Sequence, residues 1–557
     1  MKNSQALGWV YGNTKKYIPM VAVQALISAA VSVGYVALAY ISSYVIDIAT
    51  GQKSGDIRFY IGLLFLMIIL QAVLYVVNSS FQVRINGKLE IYFKSRLFSS
   101  LMCKEYKEIS KYHSGDILNR FTSDVNVVIS GVTGIVPSAV SLFARLAAAV
   151  FVLLKFSKGL TAVILVVGVV VGFAARIYSV YFKRIHKRVQ ESVGNTRSFM
   201  QECTENTVVV KSFGSAGAFG EKLRRLMRKT YKLMLRRNMV SNVANVGIYL
   251  LFTGGYYAAL AWGAFMIDKS VMTYGMLTAL LSIVSQVKAP ITNMSGLIPR
   301  YFAMLASAER IMEIENIDDE PKPLPQSDID EIYRGMERLR LSDIHFSYDD
   351  SREILSCPDM TVEKGEMAAL IGNSGEGKST VFRQLLGLYA PQRGKILLEG
   401  TKTLEITPAV RGLFSYVPQG NLIFSGTIGE NIRFCKQSAT CEEVAAAAKT
   451  ADIYDFIMSL PDGFETTVGE RGIGLSEGQL QRVAIARAIL CGAPVLLLDE
   501  CTSALDEKTE ERVLKNIKSM TDRTVIIISH RPAALKICDK IYSVEGGVLR
   551  KVHSCNN

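Results

Sequence analysis

The sequence predicts an α-helical six-span transmembrane bundle fused to an α/β P-loop nucleotide-binding domain. Three observations carry that expectation. Long apolar blocks recur up to about Ala308, and short strand- and helix-sized apolar runs replace them afterwards. Lys and Arg concentrate between the blocks, chiefly in residues 84–120 and 183–237, as expected of loops on the inner side of a membrane. A glycine-rich run ending in Lys378 stands between an apolar run and a helix-forming stretch in the second half. At 557 residues the chain has room for two or three domains, and a mean hydropathy of +0.24 is high for a soluble protein.

Residues 1–16, with Trp9 and Tyr11 near Lys15 and Lys16, read as an interfacial elbow helix. They carry no signal-peptide cleavage pattern, so the first apolar block is expected to be retained. Six blocks follow, near residues 17–46, 59–83, 127–156, 159–181, 243–267 and 274–304. Each is long enough to cross about 30 Å of hydrocarbon. The loops after the first, third and fifth blocks are short, and those after the second and fourth are long and basic. This alternation places the N-terminus and the nucleotide-binding domain in the cytoplasm of a multi-pass protein of the cell membrane. Helices two to five should extend into the cytoplasm, and the connections around Ser114-Gly115-Asp116 and residues 205–215 read as short helices that dock on the P-loop domain. An acidic, Pro-rich run at 318–326 marks a linker, giving a transmembrane domain at 1–315, a linker at 316–335 and a nucleotide-binding domain at 336–557.

A net charge of +13 could suit nucleic acid, but the second half has no basic stripe with interleaved aromatics, so no nucleic-acid partner is expected. The nine cysteines form no C-x-x-C pair, which indicates neither a zinc site nor a disulfide framework. They read as reduced cytosolic thiols.

The phosphate-binding run is Gly372-Asn373-Ser374-Gly375-Glu376-Gly377-Lys378-Ser379-Thr380. Its glycines let successive backbone N–H groups converge on phosphate oxygens, and the helix N-terminus that follows adds partial positive charge. Lys378 would reach the β- and γ-phosphates of ATP, and the Ser379 hydroxyl would ligate Mg²⁺. A chance glycine-rich turn would not reproduce this spacing in a strand–loop–helix context. The second stretch, residues 495–500, is an apolar strand ending in two carboxylates. Asp499 would hold Mg²⁺ opposite Ser379, and Glu500 could polarise the attacking water as general base.

The third stretch is Leu475-Ser476-Glu477-Gly478-Gln479, followed by a helix-forming run. Next to the other two, it resembles the signature of ATP-binding cassette (ABC) transporters of the six-helix exporter (type IV) kind. The remaining motifs stand in order. Tyr348 resembles the aromatic that stacks on adenine. Gln419, in Val417-Pro418-Gln419, resembles the glutamine that reaches Mg²⁺ and the water. Asp506 resembles the aspartate after the second carboxylate, and His530 the switch histidine. Thr467-Val468-Gly469-Glu470-Arg471-Gly472 resembles the segment before the signature that contacts coupling helices, and residues 113–116 and 210–213 resemble the coupling regions themselves. The resemblance implies an ABC-type ATPase with Glu500, His530 and Gln419 in catalysis. It implies nucleotide contacts from Tyr348, residues 372–380, Ser476, Gly478, Gln479 and Asp506. In the family, one subunit's signature completes the site on another's P-loop, so a half-transporter like this one is expected to pair with a second copy or a related chain. Two departures stand out: Glu477 replaces the usual Gly of the signature, and Cys501 replaces a usual Ala.

In the membrane half, Arg145 lies midway along the third block, Lys288 midway along the sixth and Arg176 toward the inner end of the fourth, with no acid inside the blocks. Such cations either line a cavity, which would suit an anionic or zwitterionic amphiphile, lipid or peptide, or cap carbonyls near kinks. Membrane lipid and the transported substrate are the other expected partners. The leading expectation is an ATP-driven exporter. An importer on the same fold, for example of a metal chelate, stays open. An ATP-gated channel or regulator is disfavoured by intact Glu500 and His530, and a soluble ATPase by the apolar blocks.

Overall fold

The computed structural model describes residues 2–156, 158–294, 296–348, 353–373, 375–420, 423–469 and 474–554. It divides the chain into two compact units, Met1–Ser99 with Ser114–Glu315 and Ser100–His113 with Asn316–Asn557.

In the first unit the apolar blocks form the helices Ile18–Ala49, Ile57–Cys103, Val125–Phe156, Lys158–Glu205, Ala216–Asp268 and Tyr274–Met294. Among the described residues, the four helical stretches Ser4–Ala49, Ile57–Cys103, Ser114–Phe156 and Ala216–Asp268 are long and apolar enough to cross a membrane. Helices of 47, 48 and 53 residues exceed what a bilayer needs. At 1.5 Å per residue they reach roughly 70–80 Å, over twice the hydrocarbon thickness. Two helices cover the sixth block on either side of residue 295. A second helix, Leu297–Glu315, follows the first, and Pro299 falls in its opening turn, where a missing N–H is tolerated. The side chains of Arg176 and Lys288 lie outside the described residues.

Val36, Ala39, Ala149, Val152, Leu153, Leu280 and Ile283 form one buried cluster, so the first, third and sixth blocks pack through small and branched side chains. The elbow helix Lys2–Thr14 is held by Trp9, whose indole N–H donates to Glu315 at 2.8 Å, while Arg96 pairs with Glu315 at 2.9 Å. Buried Asp47 accepts from the Gly275 N–H at 2.7 Å and pairs with Lys53 at 2.8 Å, so one carboxylate caps the start of the helix Tyr274–Met294. At the other end Asp116 pairs with Arg310 at 2.6 Å, and Arg120 with Glu313 at 2.9 Å. The short helices Ser114–Asn119 and Thr207–Ser212 form where short helices were expected, and Val208 and Val209 on the second, with Phe213 at its C-cap, stand exposed.

The second unit is built on β1 (Met336–Phe346), β2 (Leu355–Glu363), β3 (Met367–Ile371), β4 (Arg393–Gly400), β5 (Leu404–Glu405), β6 (Phe414–Val417), β7 (Gly426–Thr427), β8 (Thr467–Val468), β9 (Val495–Asp499), β10 (Thr524–Ile528), β11 (Lys540–Glu545) and β12 (Val548–Ser554). A ten-stranded sheet runs in the order β5-β4-β1-β2-β12-β11-β3-β10-β9-β6. Its β11-β3-β10-β9-β6 portion is parallel. Every residue of β9 and β10 is buried, which is why both read as unbroken apolar runs. Alternate residues serve opposite cores: Leu496, Leu498, Val525 and Ile527 face one cluster, Val495, Leu497, Ile526 and Ile528 the other.

The expected linker is only partly a linker. Its end forms the helix Gln326–Gly335, which buries Ile329 and Tyr333 in the second cluster, and Tyr333 donates its hydroxyl to Asp522 O at 3.0 Å. The segment Ser100–His113, from the membrane half of the sequence, also belongs to this unit. Glu105 N–H donates to Asp318 O at 3.0 Å, Lys104 pairs with Asp319 at 2.7 Å, and the Ser110 and Tyr389 hydroxyls lie 2.9 Å apart.

Candidate functional site

Four adjacent parallel strands deliver the site from their carboxyl ends, where ligands bind in open α/β sheets. β3 leads into the phosphate loop, β6 into Gln419, β9 into Asp499 and Glu500, and β10 into His530.

The phosphate loop adopts backbone that only glycine holds without strain. Gly372, Gly375 and Gly377 have φ of 144°, 86° and 102°. A Cβ on Gly372 would lie 2.2 Å from Val544 O, and one on Gly377 2.9 Å from Ile354 O. Lys378, nearly buried, donates from Nζ to Asn373 O at 2.8 Å and to Gly372 O, so the ammonium sits inside the loop's own curve. Glu376 accepts from the Asn373 N–H at 2.8 Å and from Asn373 Nδ2 at 3.2 Å. Those bonds, led by the side-chain amide, hold its pKa below the ordinary carboxylate value. Ser379 and Thr380 open the helix Lys378–Leu385. Ser374 lies outside the described residues, as do Glu470, Arg471 and Gly472.

Asp499 is 2% exposed, and Ser379 and Tyr416 hydrogen-bond to its carboxylate, Tyr416 at 3.3 Å. Burial raises its pKa above the ordinary value, the two hydroxyls only partly offsetting it. Glu500 turns out of the strand with φ of 49°, a left-handed conformation rare for a residue with a side chain, and its N–H donates to Ile528 O at 3.0 Å. Gln419 Nε2 donates to Glu500 Oε2 at 2.7 Å, and His530 Nε2 lies 4.0 Å from Glu500 Oε1. Three residues separated by up to 111 positions thus meet at one carboxylate.

Tyr348 packs edge-on against Tyr389 and Phe346. Its hydroxyl lies 3.2 Å from that of Thr380 and accepts from Arg383 Nη1 at 2.8 Å. The aromatic platform is therefore tied to the helix of the phosphate loop.

The signature residues are organised around their own helix. Ser476 caps Glu477–Cys491 in a reciprocal box: its hydroxyl accepts from the Gln479 N–H, and Gln479 Oε1 accepts from the Ser476 N–H at 2.8 Å. Gln479 is thus engaged in capping. Glu477, the departure from the signature, is exposed in the first helical turn, where an acid suits the helix dipole. Gly478 is required: a Cβ there would stand 2.8 Å from Ala504 O. Asp506 caps the helix Glu507–Lys518 by accepting from the Thr509 N–H at 2.9 Å, a bond that lowers its pKa. Burial pushes the Cys501 thiol up to about 12, so it stays protonated and inert.

Sequence reasoning missed the ties among these loops. Gln481 Nε2 donates to Ser503 Oγ at 3.0 Å, and its Oε1 accepts from the Ala504 N–H at 3.1 Å. Arg531, beside the switch histidine, donates to Leu505 O at 2.7 Å and pairs with buried Glu510 at 3.0 Å. These groups join the signature helix, the Asp506 loop and the His530 loop. Polar residues at helix and strand ends were the available signal, but nothing in the sequence pairs them.

A phosphate loop, a buried carboxylate at the end of the next strand but one and a polarisable second carboxylate define a P-loop ATPase. Residues 21–291 match the model of the ABC transporter transmembrane region, and residues 355–503 that of the ABC transporter. An ATP-dependent lipid A-core flippase of Haemophilus influenzae (strain 86-028NP) is 30% identical over 495 residues, covering 87% of this chain and 83% of that one. The mitochondrial ATP-binding cassette sub-family B member 10 of Mus musculus is 30% identical over 488 residues, covering 85% and 66%. A bacterial Atm1-family ABC exporter with ATP bound shares the fold, with a TM-score of 0.77, 23% identity, and coverage of 96% and 94%. The chain belongs to the ABC transporter family, with a transmembrane region and an ATPase in one polypeptide. It is a nucleotide-binding, multi-pass membrane protein whose ATPase drives transport.

Proposed function

We propose that the chain exports an amphiphilic small molecule, lipid or peptide from the cytoplasm, as a dimer with a second copy or a related half-transporter. Residues 1–315 would form the translocation half and 336–557 the cytoplasmic ATPase. The observation that carries the ATPase mechanism is the convergence of Gln419, Glu500 and His530 at one carboxylate. Lys378 and the loop N–H groups would hold the β- and γ-phosphates, and Tyr348 the adenine. Glu500 would take a proton from the attacking water, Gln419 would orient that water, and His530 would contact the γ-phosphate.

The donor set of Ser379, Asp499 and Gln419 offers oxygens only, which fits Mg²⁺, and the burial that strains the Asp499 charge is what a divalent cation would relieve. Mg²⁺ held there would neutralise charge on the transferred phosphoryl group. Ser476 and Gly478, exposed or half-exposed at a helix N-terminus, would meet the γ-phosphate of the partner's nucleotide, and Asp506 would lie beside that interface. The apolar side chains of Val208, Val209 and Phe213 would dock on an ATPase domain, making this segment a coupling element.

For cargo, Arg145 gives the first support. It is half-buried among apolar neighbours, donates from Nη2 to Ser32 Oγ at 3.5 Å and sits 4.9 Å from the Tyr35 ring centroid. It is thus attached to the first helix by a hydroxyl and a ring face and has no acid in those contacts, which favours an anionic or zwitterionic cargo. The test is ATP-dependent uptake into inside-out vesicles. Accumulation of an amphiphile supports export, and accumulation only from the opposite face assigns import.

A further inference from the structure

The signature helix Glu477–Cys491 lies against the short helix Ile428–Ile432 and the turn Arg433–Cys435 that continues it. Arg487 fixes the register of that contact. It donates from Nε to Asn431 O and from Nη2 to Asn431 Oδ1, both at 2.9 Å, and its guanidinium stands 5.3 Å from the Phe434 ring centroid. One turn further along each element comes a cysteine, Cys435 after Asn431 and Cys491 after Arg487. The same register therefore brings two thiols together, and Cys435 donates its S–H to the Cys491 sulfur. Both cysteines are exposed, so a small oxidant can reach them.

Cys491 sits among groups that favour its thiolate. The bond from Cys435 acts most strongly. Ser415, on β6, adds a hydroxyl that is buried, donates to the same sulfur and has no other hydrogen-bond partner among the described residues. The Ala493 N–H donates to it as well, and the Arg523 guanidinium stands nearby, donating to Ile489 O at 3.3 Å. Against the burial that opposes them, these groups lower the Cys491 pKa to about 6. Cys435, beside Arg487, is raised by its bond to Cys491 and keeps its proton. Two other thiols of the ATPase unit do not compete, since Cys357 and Cys501 are buried and pushed up to about 12.

We propose that Cys435 and Cys491 form a peroxide-sensitive dithiol, a reversible modification site on the ATPase unit whose oxidised form is an intrachain disulfide. The co-reactant is a hydroperoxide. The Cys491 thiolate attacks one peroxide oxygen: an S–O bond forms, the O–O bond breaks, and the departing oxygen takes a proton to leave as an alcohol, or as water from hydrogen peroxide. Cys491 is then an uncharged sulfenic acid. The Cys435 sulfur attacks it, an S–S bond forms, the S–O bond breaks, and hydroxide leaves with the Cys435 proton as water. The two thiols lose two electrons in all, and the peroxide gains them. A thiol reductant reverses the modification by exchange. The disulfide closes residues 435–491 into a covalent loop that contains the signature run. Oxidation thus ties the far end of the signature helix to the chain that descends from Gln419.

The test uses the full chain in detergent, reduced, freed of reductant and treated with hydrogen peroxide, with peptide mass mapping after alkylation. Cys435 and Cys491 should appear as one linked peptide pair, lighter by two hydrogens, which dithiothreitol separates. Before oxidation, iodoacetamide at about pH 6 should label Cys491 about tenfold faster than a free peptide thiol, its larger thiolate fraction outweighing its lower nucleophilicity. In Cys435→Ser the sulfenic acid should persist and be trapped at Cys491 by dimedone, and in Cys491→Ser peroxide should leave Cys435 a thiol. Absence of the linked pair in the unmodified protein overturns the site, and no variant needs to fold for that result. Linkage of either cysteine to Cys441 instead, whose sulfur accepts from Arg433 at 3.4 Å, also overturns it, as does linkage across two copies of the chain. Labelling of Cys491 no faster than the free thiol, or undiminished oxidation of Cys435 in a folded Cys491→Ser protein, would overturn the assignment of Cys491 as the attacking sulfur.

Discussion

The two ends of the ATPase unit are built on opposite plans. At the phosphate-loop end, four strands bring Lys378, Gln419, Asp499, Glu500 and His530 together: Lys378 donates to the loop, Gln419 to Glu500 and Tyr416 to Asp499, and His530 lies 4.0 Å from Glu500. At the signature end, Ser476 and Gln479 satisfy each other across a single helical turn. The first arrangement gathers catalytic groups within one chain. The second leaves a rigid helix N-terminus presented outward with its cap already filled. The difference teaches that the hydrolytic chemistry is assembled by the fold, while the signature contributes a preformed surface that needs a nucleotide brought to it.

The sharpest way to break this contrast is at Glu500. Glu500→Gln keeps the hydrogen bond to Gln419 but cannot take a proton from water, so hydrolysis should fall about 10²–10⁴-fold with ATP binding retained. Phosphate release measured beside equilibrium ATP binding checks it, and unmodified turnover would remove Glu500 from the mechanism. At the other end, Ser476→Arg should lower hydrolysis by about 10²-fold by placing a bulky cation where the γ-phosphate must be met. It also removes a cap worth about 0.5–2 kcal/mol, so Ser476→Asn, which retains a cap, serves as the stability control. Full ATPase in a verified monomer would end the pairing scheme.

A smaller effect is expected at Asp499. Its pKa is raised in the folded protein, so the folded state holds the proton more tightly than the unfolded chain. Stability is therefore lost as pH rises from the ordinary carboxylate value through the raised one, and the penalty persists at neutral pH. Asp499→Asn should raise the unfolding temperature of the nucleotide-free protein at pH 7 and abolish further stabilisation by Mg²⁺ with ATP. A thermal melt that drops at pH 7 would contradict the burial penalty. The smallest change belongs to the membrane unit: Arg145→Met, which preserves length and apolar packing, should reduce the ratio of amphiphile-stimulated to basal ATPase by a few-fold. An unchanged ratio removes Arg145 from the cargo path.

The phosphate loop and the carboxylates of β9 were legible because their requirements are local: glycine at positive φ, an apolar strand, a hydroxyl before a helix. The caps at Ser476 and Asp506 are legible for the same reason. Tyr416 on Asp499, Arg531 across to Leu505 and Glu510, and Gln481 on Ser503 were not, because a side chain's distant partner is set by the sheet order. The helix Gln326–Gly335 was a missed signal of the readable kind. Ile329, Ile332 and Tyr333 fall at i, i+3 and i+4, a core-facing stripe that the preceding prolines masked.

The allegiance of Ser100–His113 bears on how such a chain can be divided or recombined. A cut in the Pro-rich stretch after Glu320 would separate the polypeptide without freeing the ATPase, because Ser110 would still meet Tyr389 and Glu320 would still pair with Arg411 at 2.9 Å across the nick. A gene split or swapped at that point would leave the downstream half without a piece of its own surface. The inheritable module is discontinuous, and grafting this ATPase onto another membrane half would require the upstream segment to travel with it or be matched by the recipient.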